Sequence, residues 1–340
     1  MMEVVEVSDS NAWNQFIETN ADSTFCHQHE WKSLIENALG HKSLYFAAVE
    51  QDGTWRGALP LVRVKTVIGH HLISMPFLND GGALGDAAAC ELLIQRAVDE
   101  AKRSGATLVE LRSRADAPGP VQASNRKIAV HLKLPPTVED LWAKTFRAKL
   151  RSQVRRPTKE GMTARTGRTE LATFYRVFSR NMRDLGTPVM PKAFFERIAS
   201  TFGDSVMFAS VYTKEEKPAA AACCLIWRNE IEVTWASSLR ELNTFSPNML
   251  LYSHLMEEAI RRGLTLFNFG RSTPDTPTHR FKQQWGGVDV PLSWPCWPPD
   301  ASHAIAHKER PVFRVATALW QRLPVAVANR VGPSLARLLP

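Results

Sequence analysis

Apolar side chains recur along this chain with two different periods, and the order in which the periods alternate is repeated. Trp13, Phe16 and Ile17, then Trp31, Leu34 and Ile35, fall at helical spacing and predict short helices over 11–19 and 29–38, with Asn11 and Ser23-Thr24 as nearby caps. Strand-like runs follow over 43–50, 55–66 and 71–77, the first two joined by an Asp52-Gly53 turn. A loop over 78–86 leads into a helix over 87–103 that Gly105 closes, and 107–112 is the next strand. The second half runs in the same order. Helices over 170–184 and 192–200 precede strands over 206–212, 218–227 and 230–236. A loop over 237–246 then opens a helix over 247–262, with Pro247 where a first turn tolerates it, and 264–269 is the last strand. Corresponding elements lie about 160 residues apart, so the chain reads as two copies of one unit.

Two helices, three antiparallel strands, a loop, a long helix and a strand is the order of the acyltransferase fold built around an acetyl-coenzyme A site. The expected class is therefore α/β (α+β), with two tandem GNAT-like (acyl-CoA N-acyltransferase fold) domains of mixed, mostly antiparallel sheets flanked by helices. The expected divisions are a first domain over 1–140, a linking helix over 141–161, a second domain over 162–300 and a tail over 301–340. In that fold the third strand splays from the strand after the long helix, and an acyl donor lies in the gap.

Composition narrows this little. Apolar residues make up 44% and charged residues 22% of the 340, an ordinary globular balance. The net charge of +8 makes an anionic partner plausible: phosphate, nucleic acid or a membrane surface. Five cysteines without a CxxC pair fit reduced thiols and a cytoplasmic protein. The acidic N-terminus has no signal-peptide pattern, and no apolar run reaches membrane-spanning length. GxSxG, HExxH and P-loop motifs are absent, which removes the hydrolase, metalloprotease and P-loop readings. No metal site is expected.

Two stretches carry chemistry. Between the copies, Lys144 to Gly161 holds seven basic side chains against one glutamate, and Trp142, Phe146, Leu150 and Val154 recur every fourth residue. This predicts an amphipathic helix ending at or before Pro157. Lys149, Arg151, Arg155 and Arg156 form a basic face that reads either as solvated surface or as a site for phosphate or tRNA. Farther on, the strand Leu264–Phe269 runs into Gly270-Arg271-Ser272, followed by Phe281-Lys282-Gln-Gln-Trp285-Gly286. Glycine lets a substrate approach the backbone, arginine offers a planar fork and lysine a point charge.

The doubled unit, the Lys149–Gly161 bridge and the Phe267-Asn-Phe-Gly-Arg-Ser272 and Phe281-Lys-Gln-Gln-Trp-Gly286 segments resemble the FemAB family. More narrowly, they resemble its exosortase/PEP-CTERM-associated branch, over nearly the whole chain. The resemblance implies transfer of an acyl or aminoacyl group onto an amine of a cell-envelope or exopolysaccharide-related substrate, small or lipid-linked. No cofactor is fixed by it; acyl-CoA and aminoacyl-tRNA both stand as donors. Two departures matter. Relatives often carry an aspartate where this chain has Asn268, and the loop before the Pro247 helix has no glycine to cradle a pyrophosphate, which disfavours acetyl-coenzyme A.

Acyl transfer requires an aligned amine, oxyanion support and a proton relay. Arg271 and Lys282 are the expected anion anchors, with Asn268, Gly270 and Trp285 lining the substrate site and Ser272 contacting the reacting carbonyl. Tyr252 and His279 are the relay candidates, and Asp80 is the base candidate in the first copy. Each also has a plainer reading: packing for Tyr252 and Trp285, a turn-rich loop for His279, turn chemistry for Asp80. In the tail, Val312, Phe313, Val315, Ala316, Leu319 and Trp320 among Lys308, Arg310, Arg314 and Arg322, and a second apolar segment over 325–339 with Arg330 and Arg337, read as amphipathic segments docked on the protein or on the inner-membrane face. A non-catalytic binder of an envelope or exopolysaccharide intermediate, and an acetyl-CoA N-acetyltransferase, stay open as alternatives.

Overall fold

A computed structural model describes residues 1–66, 69–114, 117–122, 127–298 and 311–338. The first copy runs β1 (Met2–Glu6), α1 (Ser10–Thr19), α2 (Glu30–Leu39), β2 (Lys42–Glu50), β3 (Trp55–Thr66), β4 (Gly69–Ile73), β5 (Leu84–Gly85), α3 (Ala87–Ser104) and β6 (Leu108–Glu110). Then come β7 (Lys127–Lys133), α4 (Val138–Asp140) and α5 (Ala148–Lys159). The second copy runs β8 (Thr163–Thr166), α6 (Leu171–Asp184), α7 (Lys192–Phe202), β9 (Val206–Tyr212), β10 (Pro218–Trp227), β11 (Glu230–Ser238), α8 (Pro247–Arg261), β12 (Leu266–Ser272), α9 (Pro277–Gln283) and β13 (Val288–Leu292). β14 (Cys296–Trp297), α10 (Pro311–Gln321) and α11 (Val325–Ala336) end the chain.

Two mixed sheets result. The first has the order β1-β2-β3-β4-β6-β14 with β5 on β3, and the second β13-β7-β12-β11-β10-β9-β8. In each, the third long strand pairs in parallel with the strand after the long helix, β4 with β6 and β11 with β12. The two compact units interleave along the chain rather than meeting at one cut. One comprises Met1–Lys127, Pro291–Arg314 and Ser334–Pro340, and the other Ile128–Val290 and Val315–Pro333. The reason is the edge pairing. β7 lies before the second copy but bonds to β12, and β14 lies after it but bonds to β6.

In the first sheet, Leu93, Ile94, Ala97 and Ala101 of α3 bury against Leu59, Leu61, Leu72 and Val109. In the second, Leu251, Leu255, Met256 and Ala259 of α8 meet Val211, Cys224, Val233, Phe267 and Phe269. A fully buried aliphatic side chain contributes about 2 kcal/mol, so these stripes are what hold each helix to its sheet. The opposite face of the second sheet carries Phe174, Phe195 and Trp235 in edge-to-face contacts.

Several expectations change in detail. β1 and β8 escape the pattern because both are short, half-exposed edge strands. The strand expected over 71–77 stops at Ile73, since Met75 and Phe77 adopt positive φ. The linking helix expected over 141–161 is broken at Phe146, and its main part runs from Ala148 past the expected stop at Pro157 to Lys159. Proline is tolerated there because it stands in the last turn, where the Glu160 N–H reaches the Arg156 and Pro157 carbonyls. The Thr273–Thr278 turn leads directly into α9, capped by the Thr276 side chain.

Candidate active site

The equivalent strand ends of the two copies align residue for residue with one exception. Leu108-Val-Glu-Leu-Arg-Ser113 matches Leu266-Phe-Asn-Phe-Gly-Arg-Ser272, with Gly270 as the additional residue. The paired registers agree: His71 faces Leu108 and Ile73 faces Glu110, as Glu230 faces Leu266 and Glu232 faces Asn268. Gly270 produces the register shift between Asn268 and Arg271 on the β7 side, at φ 70°. This left-handed conformation costs a residue with a Cβ about 1–2 kcal/mol, so the bulge suits glycine.

Asn268 is buried and holds the bulge. Its carbonyl oxygen accepts the Gly270 N–H at 2.8 Å, and its amide donates to Glu230 at 2.7 Å. An aspartate could not donate that second bond, so the amide is the side chain that fits beside Glu230. Lys282, from α9, reaches the same bulge: its amine donates to the carbonyls of Gly270 and Arg271, both at 2.8 Å. It is therefore not the exposed anion anchor expected from sequence. Burial lowers its pKa to about 8, and the Arg271 guanidinium pushes the same way while the Glu232 carboxylate opposes. Arg271 itself is exposed at the strand end. Ser272 is buried, and its hydroxyl has no hydrogen-bond partner among the described residues.

Beyond Glu232 and Asn268 the two parallel strands part. Their register stops at that pair although β11 continues to Ser238. The splay expected from sequence is thus present in the second copy, flanked by the bulge, Lys282 and Glu232.

Other candidates lie elsewhere. Tyr252 and Trp285 belong to the aromatic core. Tyr252 stacks on Phe269 at 5.7 Å and meets Phe281 edge-on, and Trp285 is fully buried with Phe146 at 5.5 Å. Burial raises the Tyr252 phenol, which is poorly suited to proton relay. His279 is a buried helical residue rather than a loop residue, and both ring nitrogens are engaged. Nδ1 accepts the Asp275 N–H at 3.1 Å, so Nε2 donates to Asp289 at 3.0 Å. With no nitrogen left over, it braces the turn after β12 instead of relaying protons.

In the first copy, Asp80 is buried and ion-paired with Arg114. The loop after β4 closes the equivalent gap. Ser74 Oγ accepts the Arg112 N–H at 2.6 Å, and the Gly81 N–H donates to the Arg112 carbonyl at 2.8 Å. Arg112 is buried, donates to Glu110 at 2.9 Å and to the Leu78 carbonyl at 3.0 Å, and lies over Trp294 at 4.6 Å. His27 completes the plug, with Nδ1 accepting the Thr24 N–H and Nε2 donating to the Gly82 carbonyl, each at 3.0 Å. Burial lowers its pKa to about 4.

On α5, Lys149, Arg155 and Arg156 are exposed, as a polyanion face requires. Arg151 is not part of that face, because it donates to the Trp142 and Phe146 carbonyls at 3.2 and 2.8 Å. Arg155 lies over Trp142 at 5.5 Å, beside a cavity of about 490 Å³ that Lys159, His254 and Glu257 also line. Among the described residues no metal-binding cluster occurs.

Glu230 and Glu232 were not singled out from sequence. The signal was present in Glu230-Ile-Glu-Val233, where two carboxylates alternate with apolar residues and so share one strand face.

Residues 144–283 match the family described as acetyltransferase (GNAT) domain. No curated protein sequence matches the chain. Among solved structures, FemX is similar with a TM-score of 0.65 at 14% identity, covering 86% of this chain and 96% of that one. L-PGS from Bacillus licheniformis is similar at 0.55 and 15% identity, covering 94% and 100%. A tandem GNAT protein from the clavulanic acid biosynthesis pathway is similar at 0.55 and 14%, covering 87% and 98%. The fold is the GNAT fold in tandem, with two mixed sheets flanked by helices, and residues 144–283 form an acyltransferase-type domain.

Proposed function

We propose that the protein is a FemAB-like transferase that moves an acyl or aminoacyl group from a thioester or ester donor onto an amine of a cell-envelope or exopolysaccharide-related substrate. The observation that carries this reading is the open strand end of the second copy, where β11 and β12 part beside the Gly270 bulge and the buried Lys282 amine. The substrate amine attacks the donor carbonyl there, the C–O or C–S bond breaks, and the proton that the amine gives up passes through solvent to the departing oxygen or sulfur, which leaves as the hydroxyl or thiol. Arg271 is the exposed cation at that end and takes the anionic part of a substrate. The exposed cations of α5 provide a face for a tRNA-borne donor. The glycine-free turn Arg240–Phe245 before α8 favours aminoacyl-tRNA over acetyl-coenzyme A.

Lys282 acts through its charge. A cation beside the reacting carbonyl stabilises the oxyanion, and loss of one such donor typically lowers turnover about 100- to 1,000-fold. The test is transfer of labelled aminoacyl or acyl groups to amine acceptors by the purified chain, with the Lys282→Met and Arg271→Met variants. The rate should fall as pH rises through about 8, because the amine then loses its proton. A rise through the same pH in the parent that Lys282→Met abolishes would make Lys282 a base instead, since a rise common to both belongs to the acceptor amine. Absence of transfer from either donor class, with folded protein, would return the chain to the binding-protein reading.

A further inference from the structure

The last two helices present apolar side chains that the described residues leave exposed. α10 and α11 are fastened to α6 and the segment after it by small and polar contacts. A Cβ at Gly186 would collide with Thr317, Arg183 donates to the Leu323 carbonyl at 2.9 Å, and Asn329 reaches Ser179 at 3.3 Å. Gly332 lies against Val189, and Ala328 and Ala336 are buried. Trp320 is partly buried with its Nε1 inward, but five aliphatic side chains are left exposed. Val315 and Leu319 on α10, and Val327, Val331 and Leu335 on α11, are 37% to 61% exposed. Their spacing of four residues puts each set in one stripe along its helix.

Within these two helices and the residues after them the charge has one sign. From Pro311 to Pro340 the sequence contains Arg314, Arg322, Arg330 and Arg337 and no aspartate or glutamate. Arg322, Arg330 and Arg337 are exposed. On α11, Arg330 and Arg337 fall beside the Val327–Val331–Leu335 stripe, on the flank away from the buried Ala328, Gly332 and Ala336. Neither helix can cross a bilayer: no described helix is long and apolar enough. Short helices with an apolar stripe, a basic flank and no acid are the composition that lies in the plane of an anionic lipid surface.

We infer that α10 and α11 form a docking surface for an anionic membrane, with the five aliphatic side chains entering the acyl boundary and the arginines meeting lipid phosphates. This surface stands independently of the transferase reading. A second protein copy would satisfy the aliphatic side chains but would bring like charges together, which is why lipid is the occupant the charges favour.

The test is co-sedimentation of the full chain with vesicles of phosphatidylcholine alone, or with about one-quarter phosphatidylglycerol, near 0.1 M salt, where screening acts beyond about 10 Å. Binding to the anionic vesicles is expected, with much weaker binding to the neutral ones and loss toward about 1 M salt. Arg322→Gln and Arg330→Gln should each weaken binding about fivefold, the weight of one basic side chain at such a surface. Leu319→Asp with Val331→Asp should abolish it, and circular dichroism should be unchanged because both positions are exposed. Equal binding to both vesicle types, no binding, or variants that bind as the parent does would each overturn the proposal. So would a lipid-free dimer that the aspartates dissociate, since a second copy would then be the occupant.

Discussion

Leu108–Ser113 and Leu266–Ser272 occupy the same place in two copies of one fold, yet one is sealed and the other open. In the first, Arg112 turns inward onto Glu110 and the loop after β4 bonds to its backbone. In the second, one added residue, Gly270, shifts the register and leaves Arg271 at the surface. The carboxylate has changed strands as well. Glu110 faces Ile73 on β4, whereas Asn268 faces Glu232, with Glu230 as its hydrogen-bond partner. A single insertion and an exchange of acid for amide thus accompany the difference between a sealed strand end and an open one.

The sharpest way to break this comparison is to remove the same arginine from each copy. Arg112→Met leaves the Glu110 carboxylate buried without its cation, and such a loss costs about 3–5 kcal/mol. Arg271→Met removes an exposed side chain, where even a surface ion pair is worth no more than about 1 kcal/mol, and should cost far less. Urea denaturation of both variants at neutral pH decides. Equal losses would mean that the two arginines do the same work, and the division of labour would be wrong.

Asn268→Asp restores the acid that the resemblance leads one to expect. In this structure it sets a carboxylate against Glu230 in place of a donor, and it should destabilise by about 1–3 kcal/mol at neutral pH. Two facing carboxylates raise one another's pKa on folding. Stability is then retained where one is protonated and lost as pH rises through the raised value, so the defect should shrink toward about pH 5. A variant as stable as the parent would show that the amide is not needed to seat Glu230.

These residues also show what the chain made legible in advance. The repeat and the long helices were readable because apolar periodicity extends over whole elements, as in Leu93–Ala97–Ala101 and Leu251–Leu255–Ala259, and the splay followed only from the fold that this order resembles. The location of the open strand end was readable too, from Gly-Arg-Ser after an apolar run. The roles of single polar residues were not. Lys282 looks like a surface cation until α9 forms and turns it under the strand, and His279 looks like a loop residue for the same reason. Pairing across the sheet decided that Asn268 suits Glu230, and nothing local to Phe267-Asn-Phe269 encodes that. The exchange of β7 and β14 between sheets was equally hidden, because strand partners distant in sequence leave no periodic signal.

The seal of the first copy should also respond to pH. His27 is neutral in the fold down to about pH 4, while in the unfolded chain it takes up a proton near 6.5. Between these values the unfolded state binds more protons, so stability falls as pH drops below 6.5. From pH 6.5 to 5 that amounts to about 2 kcal/mol. His27→Gln should flatten this part of the stability–pH curve, measured by urea midpoints at both pH values. If the slope of the variant matches the parent's, His27 is not the group that ties the loop to neutral pH.

The smallest effect tests the insertion itself. Gly270→Ala places a Cβ at φ 70° and should cost about 1–2 kcal/mol, close to the limit of a denaturation measurement. Deleting Gly270 is the more informative change, because it makes the second strand end match Leu108–Ser113 in length. Without the bulge, the Gly270 carbonyl that Lys282 holds is gone and the side-chain alternation after Phe269 reverses, so Arg271 turns inward as Arg112 does. The deletion should therefore abolish transfer while the second copy stays folded, with loss of the lowered lysine pKa as the accompanying signature. Retained transfer in the deletion variant would mean that the bulge is a consequence of the open strand end and not its cause.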